Sequence, residues 1–152
     1  MSIVKTVDLS NTNRIKKIAS RIIEKLGSNL ETKAVCLLGL SFKPNTDDIR
    51  DSAAIIIAHE LLNRGITIKC FDPKAMQNAE KILPDLNYCI SPYDACKNVN
   101  SIIIATEWNE FRALNLDKIK SLASEPIIFD LRNIYNKQDV INLGFEYNGI
   151  GK

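Results

Sequence analysis

The patterns this sequence lacks exclude several classes of protein. Its 152 residues include four cysteines, Cys36, Cys70, Cys89 and Cys96, with no CxxC or other metal-like spacing. No metal site and no disulfide framework is expected, and the four are read as reduced thiols of a cytoplasmic protein. No apolar run approaches the ~18 residues of a membrane span. The opening MSIVKTVDLSNTNR has no apolar core of a signal peptide. Neither sign of charge dominates, since 20 basic and 18 acidic residues leave a net +2. A nucleic-acid partner is therefore not expected, because there is no basic excess to neutralise many phosphates. GxGxxG is absent, and so is the GK[ST] ending of a P-loop.

What is present is a globular pattern, 45% apolar and 25% charged. From Asn11 to Gly27, Ile15, Ile18, Ile22 and Leu26 recur at helical spacing, with Asn11 or Asn13 as a cap and Gly27 as a stop. Arg14, Lys16, Lys17, Arg21 and Lys25 make that helix basic, and a solvated face is the expected role for them. Ala34 to Leu40 is a short continuous apolar run, as expected for a strand covered on both faces. Further strands are expected at Ile66–Phe71, Leu86–Ile90, Ser101–Thr106 and Ile127–Leu131, with a short edge strand at Phe145–Tyr147. Helices are expected at Ser52–Arg64, Ala75–Leu83, Pro92–Asn98, Leu116–Ala123 and Asn136–Leu143. The alternation gives an α/β fold, a Rossmann-like, doubly wound, mostly parallel sheet of five or six strands, preceded by the end of a long helix. The expected strand order is 3-2-1-4-5, which places the ligand crevice beyond strands 1 and 4.

Three loops at that crevice hold the candidate residues. The first, GLSFKPNTDDIRDS (Gly39–Ser52), carries Phe42, Lys43 and Arg50 where strand 1 enters a helix. A helix start offers unpaired amides and a positive dipole end to an anion. Lys43 and Arg50 add cations, and Phe42 adds an apolar face for a base or sugar. The residues alone leave a second reading equally open, in which Lys43 and Arg50 pair with Asp47, Asp48 and Asp51 in a solvated loop. In the second loop, ATEWNEF (Ala105–Phe111), Glu107 is placed to accept hydrogen bonds from hydroxyls. Trp108 is a candidate stacking surface, and Phe111 is read as a core cap. The third, FDLRNIY (Phe129–Tyr135), puts Arg132 at the end of strand 5; on spacing alone it reads as a surface cation. Asp72 and Asp130 lie near strand ends, but their flanks do not match a phosphoacceptor pattern.

Together with FDPKA (Phe71–Ala75) and the closing GFEYNGIGK (Gly144–Lys152), these blocks resemble the C-terminal domain of the nucleotide-sugar dehydrogenases, the UDP-glucose/GDP-mannose dehydrogenase family. The resemblance runs from about Val7 to Lys152, and FKPNTDDIR with TEWNEF is most similar to the members acting on UDP-glucose. The resemblance implies a UDP-sugar-binding domain at residues 29–152, preceded at 1–28 by the end of the central helix that joins the domains and builds a homodimer. By the same resemblance Phe42, Lys43 and Arg132 hold the UDP-sugar, and Arg50 touches NAD bound mainly by an N-terminal part. The family's GxGxxG and its GFGGxC block with the nucleophilic cysteine are both missing here. None of the four cysteines matches that nucleophile, and no catalytic residue is assigned. His59, the single histidine, is expected to pack or face solvent.

The reading is thus the substrate-binding part of such an enzyme, either truncated or the product of a split gene, inactive alone and needing an N-terminal NAD-binding partner. Two alternatives stay open. One is a stand-alone nucleotide-binding or interaction module without catalysis. The other is a dehydrogenase part for UDP-N-acetylmannosamine or GDP-mannose.

Overall fold

The computed structural model describes residues 2–150, with side chains from Asn11 onward. Gly151 and Lys152, which close the last sequence block, lie outside the described residues. Helix α1 spans Ser2–Leu26 and so starts well before the expected Asn11. Gly27 ends it at φ +82°, a left-handed turn that glycine adopts without strain. A short 3-10 turn, Leu30–Thr32, leads into strand β1, Ala34–Leu38. Then follow α2 (Ala53–Leu62), β2 (Thr67–Phe71), α3 (Met76–Glu80), β3 (Asn87–Tyr88), α4 (Pro92–Cys96) and β4 (Ser101–Ile104). The chain continues through α5 (Asn109–Arg112), α6 (Leu116–Leu122), β5 (Ile127–Asp130), α7 (Lys137–Asn142) and β6 (Glu146–Gly149).

The strands form one parallel sheet in the order β3-β2-β1-β4-β5-β6. The expected 3-2-1-4-5 order is present, extended by β6 on the far edge. Strand β1 shows why the sheet needs cover on both sides. Val35 and Leu37 face one core with Ala19 and Ile22 of α1 and Ile57 and Leu61 of α2. Cys36 and Leu38 face the other with Ala95 and Cys96 of α4, Ile119 of α6 and Val140 of α7. Alternating side chains of an apolar strand must go to opposite faces, so each face requires its own helices.

Several elements are shorter than their apolar runs. β1 stops at Leu38, and β4 stops at Ile104, short of Thr106. β3 keeps only Asn87–Tyr88. The four-residue α5 was not expected, because one helical turn is too short to show periodicity. α4 starts as the sequence suggests, with Pro92 in the first turn and the Ser91 hydroxyl accepting from the Asp94 amide at 3.0 Å.

Candidate functional site

Two buried carboxylates at strand ends build the loops of the crevice. Asp72, just past β2, is fully buried. Its Oδ2 accepts from the amides of Leu40 at 2.8 Å and Ser41 at 3.1 Å, from the Ser41 hydroxyl at 3.1 Å and from Trp108 Nε1 at 3.3 Å. Its Oδ1 accepts from the amides of Lys74 and Ala75, both at 2.8 Å. A charged acceptor here satisfies donors that a buried loop would otherwise leave unpaired. The Thr106 hydroxyl donates to the Ser41 carbonyl at 2.7 Å, and the Ser52 hydroxyl donates to the Leu40 carbonyl at 2.7 Å. Ser52 therefore occupies the cap position of α2 without capping it, and its hydroxyl ties the loop down. Trp108, expected as a possible stacking surface, is instead buried as part of this framework. Phe111 is fully buried as expected, edge-on to Phe71 with ring centroids 6.4 Å apart.

This turn does not fit the pyrophosphate of a dinucleotide. The amides of Leu40 and Ser41 are taken by Asp72. Gly39 has φ +102°, and a Cβ there would lie 2.4 Å from Thr106 Oγ1, so Thr106 already fills the space above the glycine. The site has neither the donors nor the room for close phosphate approach.

Asp130, at the end of β5, is also fully buried. Its Oδ1 accepts from the amides of Arg132 and Ile134, both at 3.2 Å. Its Oδ2 accepts from the Tyr135 amide at 3.0 Å and the Tyr147 hydroxyl at 2.9 Å. The Tyr135 hydroxyl donates to the Phe111 carbonyl, which ties this turn to α5. From the turn, Arg132 reaches across to Glu107 beyond β4. Its Nε lies 3.1 Å and its Nη2 2.8 Å from Oε1, and Nη2 lies 3.2 Å from Oε2. Partial burial pushes the Glu107 carboxyl up, but the Arg132 hydrogen bonds more than offset this and hold it below its usual range. Glu107 is thus bound to a guanidinium rather than held ready for a hydroxyl.

A groove of about 790 Å³ opens at the carboxyl ends of β1, β4 and β5, where the strand order reverses. Ile56, Ile57, Ala105 and Leu131 contribute apolar lining, and Phe42 and Arg132 both face it. Volume and position match the usual ligand crevice of such sheets. Two of the four candidate site residues are therefore brought together. Lys43 stands beside them: its Nζ is 5.2 Å from the Phe42 ring centroid, within cation–π range, though it does not line the groove. Arg50 stands apart from these residues. It points to solvent and is bound by Asp48, Nη2 to Oδ2 at 2.7 Å, outside the groove lining. The two readings of the loop thus divide, Arg50 being internally paired and Lys43 having no ion pair among the described residues.

The sequence reading missed the other wall of the groove. Arg14, Lys17 and Arg21 of α1, expected as a solvated stripe, line it together with Ile15 and Ile18. Asp51 is the one acidic residue in the same lining among the described residues. The signal was visible as a spacing of three and four residues, but which element α1 packs on was not. The four thiols are buried, with Cys36 and Cys96 Sγ atoms 3.6 Å apart. Burial pushes the thiols of Cys36, Cys70 and Cys89 up, so they are poor thiolates. His59 is exposed on α2. Among the described residues no helix is long and apolar enough to cross a membrane.

Residues 36–137 match the UDP-glucose/GDP-mannose dehydrogenase family, UDP binding domain. The chain belongs to this family. It is 41% identical over 150 residues to the UDP-glucose 6-dehydrogenase of Rhizobium meliloti, covering 99% of this chain and 34% of that protein. It is 42% identical over 151 residues to the UDP-glucose 6-dehydrogenase of Rickettsia conorii, covering 98% of this chain and 35% of that protein. Among solved structures, a UDP-glucose dehydrogenase from the archaeon Pyrobaculum islandicum superposes with a TM-score of 0.72 at 30% identity, over 90% of this chain and 29% of that one. This member of the family thus spans about a third of the length of the curated relatives it matches. The matched region carries both strand-end aspartates and the Glu107–Arg132 pair.

Proposed function

We propose that this chain is the UDP-sugar-binding part of a UDP-glucose 6-dehydrogenase, the enzyme that oxidises UDP-glucose to UDP-glucuronate with two NAD. The observation that carries this reading is that Phe42 and Arg132, from turns far apart in sequence, line one groove at the reversal of the strand order. Phe42 offers the uridine an apolar face. Lys43 directs its ammonium to the diphosphate, a charge-assisted contact that favours an anion over a neutral ligand. Arg132 adds a second, fixed cation. The relatives at 41% and 42% identity are UDP-glucose enzymes, which favours glucose over mannosamine or mannose as the sugar.

What the chain does by itself is bind and orient. In the complete enzyme NAD would supply hydride acceptance, and the turn after β1 does not fit it; our reading makes Arg50 an outer contact to NAD held by the N-terminal part. The buried thiols are unsuited to act as nucleophiles. Residues 1–28 are assigned to the end of the central helix, with residues 29–152 as the UDP-sugar domain and homodimer formation through that helix.

Two measurements on the pure chain test this. Calorimetry should register UDP binding, and an assay for NADH with UDP-glucose and NAD should stay at background. NADH production by the chain alone, or no heat with UDP, would overturn the assignment.

A further inference from the structure

We propose that Glu107 is a positioning residue, holding the side-on edge of Arg132 so that Nη1 is the group presented to an anionic ligand in the groove. This rests on the reading of the groove as the UDP-sugar site. A guanidinium has five N–H donors on a rigid plane. Here Nε and Nη2, the two nitrogens of one edge, are both bound to the Glu107 carboxylate. Nη1 has no hydrogen-bond partner among the described residues. The same residue's backbone amide is fixed by Asp130, itself held by Tyr147. Arg132 is therefore constrained at both ends, by one carboxylate at the main chain and another at the guanidinium.

The two anchors come from neighbouring strands, since β4 and β5 pair in parallel with Ile104 opposite Asp130. Glu107 follows β4 and Arg132 follows β5, so the pair bridges two loops whose spacing the sheet sets. An arginine free to rotate must lose side-chain entropy on meeting a phosphate. One already held at its side-on edge loses less, and its open edge faces a single direction. Arginine rather than lysine is required, because an ammonium cannot grip a carboxylate along one edge and present a second group from the same plane. The pair's side chains are 35% and 30% exposed, and Arg132 lines the groove.

The test is a double-mutant cycle on UDP binding by the 152-residue chain, read by calorimetry, with Glu107→Gln and Arg132→Ala singly and together. Glu107→Gln keeps the shape and weakens the grip, and UDP affinity should fall about tenfold. In the Arg132→Ala background the same change should have less than a twofold effect, because the group through which Glu107 acts is gone. Glu107→Asp should recover part of the affinity. A Glu107→Gln effect of equal size in both backgrounds would overturn the proposal alone, since Glu107 would then act on something else. Unchanged or tighter binding in the single variant would overturn it too, showing that Glu107 competes with the ligand for Arg132. Absence of UDP binding by the unmutated chain would overturn the groove assignment and this proposal with it.

Discussion

Arg50 and Arg132 are each gripped by a carboxylate at nearly the same distance, 2.7 and 2.8 Å, yet the two pairs do different work. Arg50 pairs with Asp48 two residues away, and its side chain is 86% exposed. Its backbone amide joins in at 2.9 Å, so the whole arrangement closes a small loop upon itself. Arg132 pairs with Glu107 across 25 residues and from a separate strand, with its side chain 35% exposed on the groove. The first pair shapes a loop and the second aims a cation. A distance in a salt bridge therefore says little until the chain separation and the surroundings are added.

The same contrast divides the loops those arginines sit on. Each is organised by a buried aspartate, and the heaviest damage should come from removing one. Asp72→Ala strips the acceptor from four amides, a hydroxyl and an indole, and should lower stability by about 4 kcal/mol or more in a urea titration. Asp130→Ala, with three amides and one hydroxyl released, should cost somewhat less, about 3 kcal/mol. An exposed-loop effect below ~0.5 kcal/mol for either would refute the anchoring role. Next is Gly39→Ala, where the added carbon collides with both the Thr106 side chain and its backbone nitrogen at a positive φ. It should destabilise by about 3 kcal/mol in the same titration, and a neutral result would mean the turn has room to spare.

Binding comes third. Lys43→Ala should weaken UDP roughly tenfold by calorimetry, since a charge-assisted contact is worth ~1.5–3 kcal/mol. Arg132→Lys should do at least as much, because lysine cannot keep the hold on Glu107. Affinity unchanged from that of the unmutated chain in both variants would separate the groove from the nucleotide. The smallest effect belongs to the exposed pair. The Arg50 side chain and then its backbone amide lower the Asp48 carboxyl to about 2. That value lies below the ~3.9 of an unfolded chain, so the associated stability is present above pH ~4 and is lost as pH falls through about 2. Exposure keeps this stability change minor. The readout is an NMR titration of Asp48, which should move upward in Arg50→Ala but stay below ~3.9, because the backbone donor remains.

The sheet was legible because its strands are unbroken apolar runs, and SIIIAT or AVCLLGL cannot be mistaken for amphipathic helices. Order followed from the alternation of elements. What stayed hidden was tertiary. Asp72 in FDPKA and Asp130 in FDLRN were visible at strand ends, but a short acidic residue before a turn has many possible partners. Only the fold says that one accepts from Leu40 and Ser41 and the other from Arg132 and Tyr135. The division between Lys43 and Arg50 was equally out of reach, since Asp47, Asp48 and Asp51 are all near enough in sequence to serve. α1 shows the limit most plainly: its cations were read as facing water because the partner that makes the groove is contributed by Leu131, Arg132 and the start of α2.

Thr106 has a consequence for how this domain is tuned. With its hydroxyl on Ser41 and its bulk against Gly39, it fills the space over the first turn with the protein's own side chain. A guest in the neighbouring groove meets the side chains that line it, not the amides of this turn. Preference among related guests can then be retuned at loop residues such as Phe42, while the sheet beneath keeps its packing untouched.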